Sequence, residues 1–314
     1  MDFNEKAKAW LSDARERFFS LDLKELDSTL TPEEQAEWND IYASFRSGTL
    51  MRGKVIGSEQ LSLSSDSSAE SPDDGDEQAI PCLIILPYRV KILLPEPLFW
   101  WPGEERNHFV LNNMGGANVD FVIIAVDRMA GCAMASRVMA LTRLRWQAQE
   151  IDRLDEGSIV NCDVLSVGPS RLTLSCYGYD ETLTAAGLSY SYLGDLRSIY
   201  RPGQTIRAKV LFSGAGRLEI SVKAAAPNPY EGARQRHPPG SIRTASITNK
   251  YAGGVFVRLD DGCTAVCRYA RHFADDQFQV GDTVKVEIIS HSDDKQWMLA
   301  KIKGKLVTVK SCGA

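Results

Sequence analysis

Gly240-Ser241-Ile242-Arg243-Thr244-Ala245-Ser246-Ile247-Thr248-Asn249-Lys250-Tyr251-Ala252-Gly253-Gly254-Val255-Phe256-Val257-Arg258-Leu259-Asp260-Asp261-Gly262 opens the stretch that decides the fold, and the stretch runs on to Ile302. It holds five short β segments: Gly240 to Lys250, Tyr251 to Leu259, Cys263 to Tyr269, Val280 to Ile289 and Gln296 to Ile302. Within them Val, Ile, Phe and Leu alternate with polar residues, which is the period of a strand with one buried face. Turn residues stand between them, at Asp260-Asp261-Gly262 and Ser292-Asp293-Asp294-Lys295. Five such strands in so short a unit bury their apolar faces most economically as a closed barrel, a common nucleic-acid scaffold.

The pattern recurs twice upstream. Gly48-Thr49-Leu50-Met51-Arg52-Gly53-Lys54-Val55-Ile56-Gly57 opens one copy, and Ala133-Met134-Ala135-Ser136-Arg137 closes it. Gly157-Ser158-Ile159-Val160 opens another, in line with Gly240-Ser241-Ile242-Arg243, and Leu218-Glu219-Ile220-Ser221-Val222-Lys223 closes it. Three openings with three matching closings indicate an internal repeat.

These residues resemble the S1 RNA-binding domain family, the repeat of bacterial ribosomal protein S1. The family's Gly-x-Phe-Val turn is met by Gly254-Val255-Phe256-Val257, and its Leu-x-x-Gly turn by Leu259 with Gly262. Its Val-Gly-Asp-x-Val-x-Val strand is met by Val280-Gly281-Asp282-Thr283-Val284-Lys285-Val286, and its ending by Leu299-Ala300-Lys301. In the first copy Gly116 to Asp127 matches the fourth strand. Ala245 replaces the second opening Gly, Gly253 an aromatic and Arg268 a His, and the family's Asp is unmatched at Ser290 or His291. The second copy has Val167-Gly168-Pro169-Ser170 in place of the Gly-x-Phe-Val turn. The resemblance covers about residues 48–304. It implies a mostly β protein of three tandem five-stranded OB-fold barrels of S1 type.

An α-helical hairpin precedes the barrels, over residues 1–46. Phe3, Ala7, Trp10, Leu11, Ala14, Phe18 and Leu21 fall near one face of a helix over 3–27. A second helix starts at Thr31-Pro32-Glu33-Glu34, where Thr31 caps, Pro32 suits the first turn and Glu34 completes a capping box. It runs to about Phe45 and buries Trp38, Ile41, Tyr42 and Phe45. The first barrel and its linker helix (about 138–149) span 47–150, with an acidic, serine-rich loop at 62–79 that lacks the apolar residues to order itself. Leu98-Phe99-Trp100-Trp101-Pro102 is expected to pack against this barrel. The second barrel spans 151–226, a proline-rich linker 227–239, the third barrel 240–304 and a tail 305–314.

The 314 residues carry a formal charge of −5, unevenly spread. Residues 1–150 sum to −9, residues 151–233 to −1 and residues 234–314 to +5. Attraction to phosphate is therefore strongest at the C-terminal end. No apolar run is long enough to span a bilayer, and no secretory signal is visible. The seven cysteines, at 82, 132, 162, 176, 263, 267 and 312, follow no disulfide or metal pattern. They predict reduced, mostly buried thiols in a cytoplasmic protein.

Barrels of this class hold single strands by stacking bases on aromatic rings beside cationic side chains. Phe256 stands at the family's stacking position and Tyr251 is placed to substitute for the missing aromatic. Arg268 replaces the family's His and still stacks or contacts phosphate. The predicted RNA-binding set is Lys250, Tyr251, Phe256, Arg258, Arg268, Arg271 and Lys301. A second set comprises Lys54, Arg137, Arg207 and Lys209. In the competing reading Phe256 is a core side chain and the charges merely solvate the surface. Asp127 matches the family's Asp or simply fixes a loop. No catalytic residue, metal ligand set or cofactor is predicted. His108, His237, His272 and His291 lack ligand spacing, Cys263-x-x-x-Cys267 lacks two further ligands, and the Gly-Gly pairs lack a following Lys-Ser/Thr.

The sequence thus predicts a non-catalytic protein that holds single-stranded RNA, with a ribosome or messenger RNA as the associated partner and no membrane. A protein-interaction scaffold of degenerate barrels is the alternative. An accessory that presents RNA to a separate nuclease is the third reading.

Overall fold

A computed structural model describes residues 30–61, 80–103, 106–150, 154–191, 193–269 and 273–306. The predicted helix over 3–27, the acidic loop 62–79 and Arg271 lie outside the described residues.

The first described helix, α1 (Pro32–Ser47), starts as its sequence dictates. Thr31 accepts from the backbone of Glu34, and the Glu34 carboxylate returns to the Thr31 nitrogen at 2.9 Å. It ends at Gly48, whose φ of +65° is the left-handed conformation that glycine adopts without strain. Trp38, Ile41, Tyr42 and Phe45 recur on one face and join the core of the first barrel. Ser44 ties helix to sheet, donating to the Thr49 carbonyl at 2.7 Å and accepting from the Ile123 nitrogen at 3.0 Å.

That barrel closes in the order β1 (Met51–Leu61), β2 (Ile80–Ile85), β3 (Lys91–Pro95), β5 (Cys132–Ser136), β4 (Asn118–Asp127). The β3–β5 pairing is parallel and the others antiparallel. Gly53 is obligatory in β1, because a Cβ there would be driven into Ile85 Cγ2 and lie 3.3 Å from Phe121 Cε1. Phe99 and Trp100 pack inward, as expected. Helix α2 (Arg137–Glu150) leads away from β5.

The second copy keeps the same cyclic strand order, as a five-stranded sheet β10-β9-β6-β7-β8. These are β6 (Ile159–Val167), β7 (Arg171–Cys176), β8 (Tyr179–Thr184), β9 (Thr205–Gly214) and β10 (Arg217–Ser221). The third barrel closes like the first: β11 (Ile242–Tyr251), β12 (Gly254–Leu259), β13 (Thr264–Arg268), β15 (Trp297–Lys305) and β14 (Thr283–Ser292). Its interior is built from Ala245, Ile247, Val255, Val257, Ala265, Cys267, Val284, Val286, Ile288, Met298, Ala300 and Ile302. Each alternates with an outward neighbour.

The chain divides into two compact units. One takes in the first barrel and most of the second; the other holds the third barrel, the segment leading into it, and residues 169–171 and 183–196. The proline-rich segment ahead of the third barrel is not simply extended. It contains the short helix α3 (Ala233–Arg236), and Ala233 is buried in the barrel's core.

Candidate nucleic-acid interface

A bulge early in each copy sets one register. Ladder pairing shifts between Val55 and Gly57, between Val164 and Ser166, and between Ile247 and Asn249. The first paired residue beyond the bulge faces Ile84, Thr173 and Phe256 respectively. The three positions are equivalent, and only the third barrel puts an aromatic ring there.

Phe256 points outward, since Val255 and Val257 on either side of it are wholly buried while Phe256 is half-buried. Cross-strand pairing carries its row to Val266 on β13 and from there to Leu299 on β15. The row one step along pairs Gly254 with Arg268, and Arg268 with Lys301. On the other side Arg258 pairs with Thr264. Arg258, Arg268 and Lys301 are all exposed on the face that carries Phe256. Phe256 is therefore not part of the barrel's core.

Two more rings complete the face. Tyr251 lies 5.2 Å from Phe256, centroid to centroid, and Trp297 lies 6.0 Å from it. The Lys295 ammonium sits 5.3 Å from the Trp297 ring. Tyr251 folds back over Gly254, where a Cβ would meet the Tyr251 Oη at 2.5 Å and its Cζ at 2.6 Å. Burial pushes the Tyr251 hydroxyl above its usual pKa, with Arg268 pulling the other way. The phenol therefore stays protonated, donates to the Cys267 carbonyl at 3.4 Å and presents its ring. Rings about 5–6 Å apart with cations at the rim suit unstacked bases and their phosphates.

Trp297 escaped the sequence reading. Its signal was the parity of the last strand: Met298, Ala300 and Ile302 are core, so Trp297, Leu299 and Lys301 face out. The hydroxyl of Thr264, the cross-strand partner of Arg258, is buried and has no hydrogen-bond partner among the described residues.

Two predicted residues do other work. Arg137 is 1% exposed, and its guanidinium grips Asp180 through two bonds of 2.7 and 2.8 Å while lying 4.4 Å from the Phe99 ring centre. It is a structural tie and not an RNA contact, because no phosphate reaches a buried, bidentately paired guanidinium. Lys250 is likewise corrected. Its ammonium donates to the Asp275 carbonyl at 2.7 Å and the Phe278 carbonyl at 2.9 Å, and pairs with the Asp275 carboxylate at 2.9 Å. Hydrogen bonds from Lys250 and Tyr269 hold the Asp275 carboxyl below its ordinary pKa. Lys250 thus anchors the loop after β13. Lys54 is exposed on β1 of the first barrel. Arg207 and half-buried Lys209 lie on β9 opposite Asn161 and Ile159, on the β6–β9 side of the second sheet and away from Thr173. Asp127 accepts from the Ala130 nitrogen at 2.9 Å and fixes the β4–β5 turn. The helix arginines are also engaged, Arg143 with the Ser47 carbonyl and Arg145 between the rings of Trp101 and Tyr179.

Among the described residues one group has ligand atoms close enough to hold a metal. His237, Asp261 and Cys263 bring theirs within 4.8 Å of one another. Their hydrogen bonds serve a different purpose. Arg243 donates to His237 Nδ1 at 3.1 Å, so Nε2 bears the hydrogen that goes to Asp261 Oδ2 at 2.7 Å. The Arg236 guanidinium already neutralises that carboxylate, at 2.9 Å. Burial pushes the Cys263 thiol up to about 11, so it stays protonated and donates to the Pro229 carbonyl at 2.8 Å. Burial also raises Asp261, but the bonds from His237, Arg236 and Cys263 outweigh it and hold the carboxyl well below the usual range. The group is a clasp that fastens the entry segment to the β12–β13 turn.

No family model matches the chain. It is similar to proteins named small ribosomal subunit protein bS1 from several bacteria. That of Neisseria meningitidis is 21% identical over 206 residues, which cover 62% of this chain and 36% of the relative. The chain therefore spans only about a third of that protein's length. A 4-hydroxy-3-methylbut-2-enyl diphosphate reductase of Clostridium acetobutylicum is 22% identical over 210 residues, 62% of this chain and 33% of the reductase. Among solved structures, GSP13 from Bacillus subtilis matches 21% of this chain and 55% of its own at 24% identity, with a TM-score of 0.19. Strand order, the repeated bulge and the likeness to several bS1 proteins agree, and the chain is a divergent S1-like protein built from tandem OB folds.

Proposed function

We propose that this protein holds single-stranded RNA on the outward face of its third barrel and performs no covalent chemistry on it. The observation that carries the reading is the cluster of Tyr251, Phe256 and Trp297 on one face with Arg258, Arg268, Lys295 and Lys301. The equivalent positions in the other copies, Ile84 and Thr173, have no ring to offer, so they serve as spacers or hold partners other than bases. Association with the small ribosomal subunit is the setting that the names of the bS1 relatives suggest.

Anisotropy of a labelled pyrimidine-rich RNA tests the reading. Phe256→Ala is expected to weaken binding about five-fold or more, the low end for one stacked base, with thermal unfolding nearly unchanged. Equal affinity of the variant and the parent protein would refute it. The alternative, a protein-interaction scaffold, draws on α2. Met139 and Trp146 stand two turns apart there, 45% and 60% exposed. That reading wins if RNA is not bound at low salt while one protein is captured in fixed proportion.

A further inference from the structure

The unit that contains the third barrel also holds a cavity of about 540 Å³. Its walls include Tyr190, Lys223, Ser246, Arg258 and Asp260. The size lies within the range of clefts that take small organic ligands. Arg258 belongs to both places: it stands two residues along β12 from Phe256, on the same outward face, and it lines the cavity. Lys223 lies 4.5 Å from the centre of the Tyr190 ring.

We propose that this cavity is a second subsite for the same RNA strand, taking one nucleotide that has passed Arg258 from the Phe256 face. The proposal rests on the RNA reading of that face. Its chemistry is that of a nucleotide pocket. Tyr190 supplies a ring for the base, while Lys223 and Arg258 supply two cations for the flanking phosphates. Asp260 supplies an acceptor carboxylate, which favours a base with an exocyclic amine over uracil. An anionic ligand without a base would gain from the lysine and arginine but would meet Asp260 as a like charge. A base with its phosphate uses all of the groups.

The test uses the full chain and single-stranded RNAs of ~4 and ~10 nucleotides, the shorter only long enough for one face. Tyr190→Ala is expected to leave the short oligomer's affinity unchanged and to lower that of the long one about five-fold or more. Tyr190→Phe keeps the ring and should restore it. Lys223→Gln should lower the salt slope of the long oligomer alone by about 0.7, one phosphate contact. If Tyr190→Ala and Lys223→Gln leave the long oligomer unaffected while Phe256→Ala weakens both lengths, the cavity proposal is overturned and the face reading stands. If Phe256→Ala changes neither length, both fall, because the cavity is argued as a continuation of the face. Thermal unfolding of each variant shows whether a loss of affinity is a loss of fold.

Discussion

Gly254 shows how closely a single residue governs the face. The Tyr251 ring and the Cys267 carbonyl together occupy the space a side chain would need. Gly254→Ala should therefore destabilise the third barrel by about 1–3 kcal/mol, the cost of overpacking a site whose neighbour is backbone. Denaturant unfolding would measure the loss, and RNA affinity should fall with it because Tyr251 is displaced. Arg137 gives the opposite pattern. Arg137→Met leaves Asp180 buried without its partner, at a cost of about 3–5 kcal/mol, and should not alter RNA affinity once the protein is folded. A drop in affinity without a drop in stability would restore the sequence-based view of Arg137. At this scale the sequence was a partial guide. The outward strand positions of Phe256, Arg258, Arg268 and Lys301 were legible from motif and parity. Arg137 and Lys250 were misread because a motif gives a strand position and not the carboxylate or carbonyls that a side chain will meet.

The strands were legible as elements because their apolar period is two and turn residues divide them. The bulge was not, since one extra residue leaves no mark on composition. Yet the bulge aligns Ile84, Thr173 and Phe256 and so separates the third barrel from its siblings. The clasp on the entry segment was equally hidden, because His237 and Asp261 are distant in sequence. Hydrogen bonds depress the Asp261 pKa in the folded protein. The clasp's contribution is therefore full above the ordinary carboxylate pKa of about 4 and is lost as pH falls below it. Asp261→Asn should be less stable than the parent protein at neutral pH, and the gap should narrow under acid. Trypsin should also cut the variant sooner at Arg234 or Arg236, as the segment is released. A gap in stability that stays constant from neutral pH down to pH 3 would count against the clasp.

Across the whole molecule, charge and rings coincide in the C-terminal quarter. Residues 234–314 carry +5 and hold Tyr251, Phe256 and Trp297, whereas residues 1–150 carry −9. Binding should therefore weaken with salt at a slope of about −0.7 for each phosphate neutralised, near −2.8 if Arg258, Arg268, Lys295 and Lys301 each hold one. The most direct measurement is photo-crosslinking of the full chain to single-stranded RNA, with the adducts mapped by mass spectrometry. Adducts should concentrate on peptides that carry Tyr251, Phe256 or Trp297. Adducts confined to the first two copies, with none on those three residues, would contradict the account.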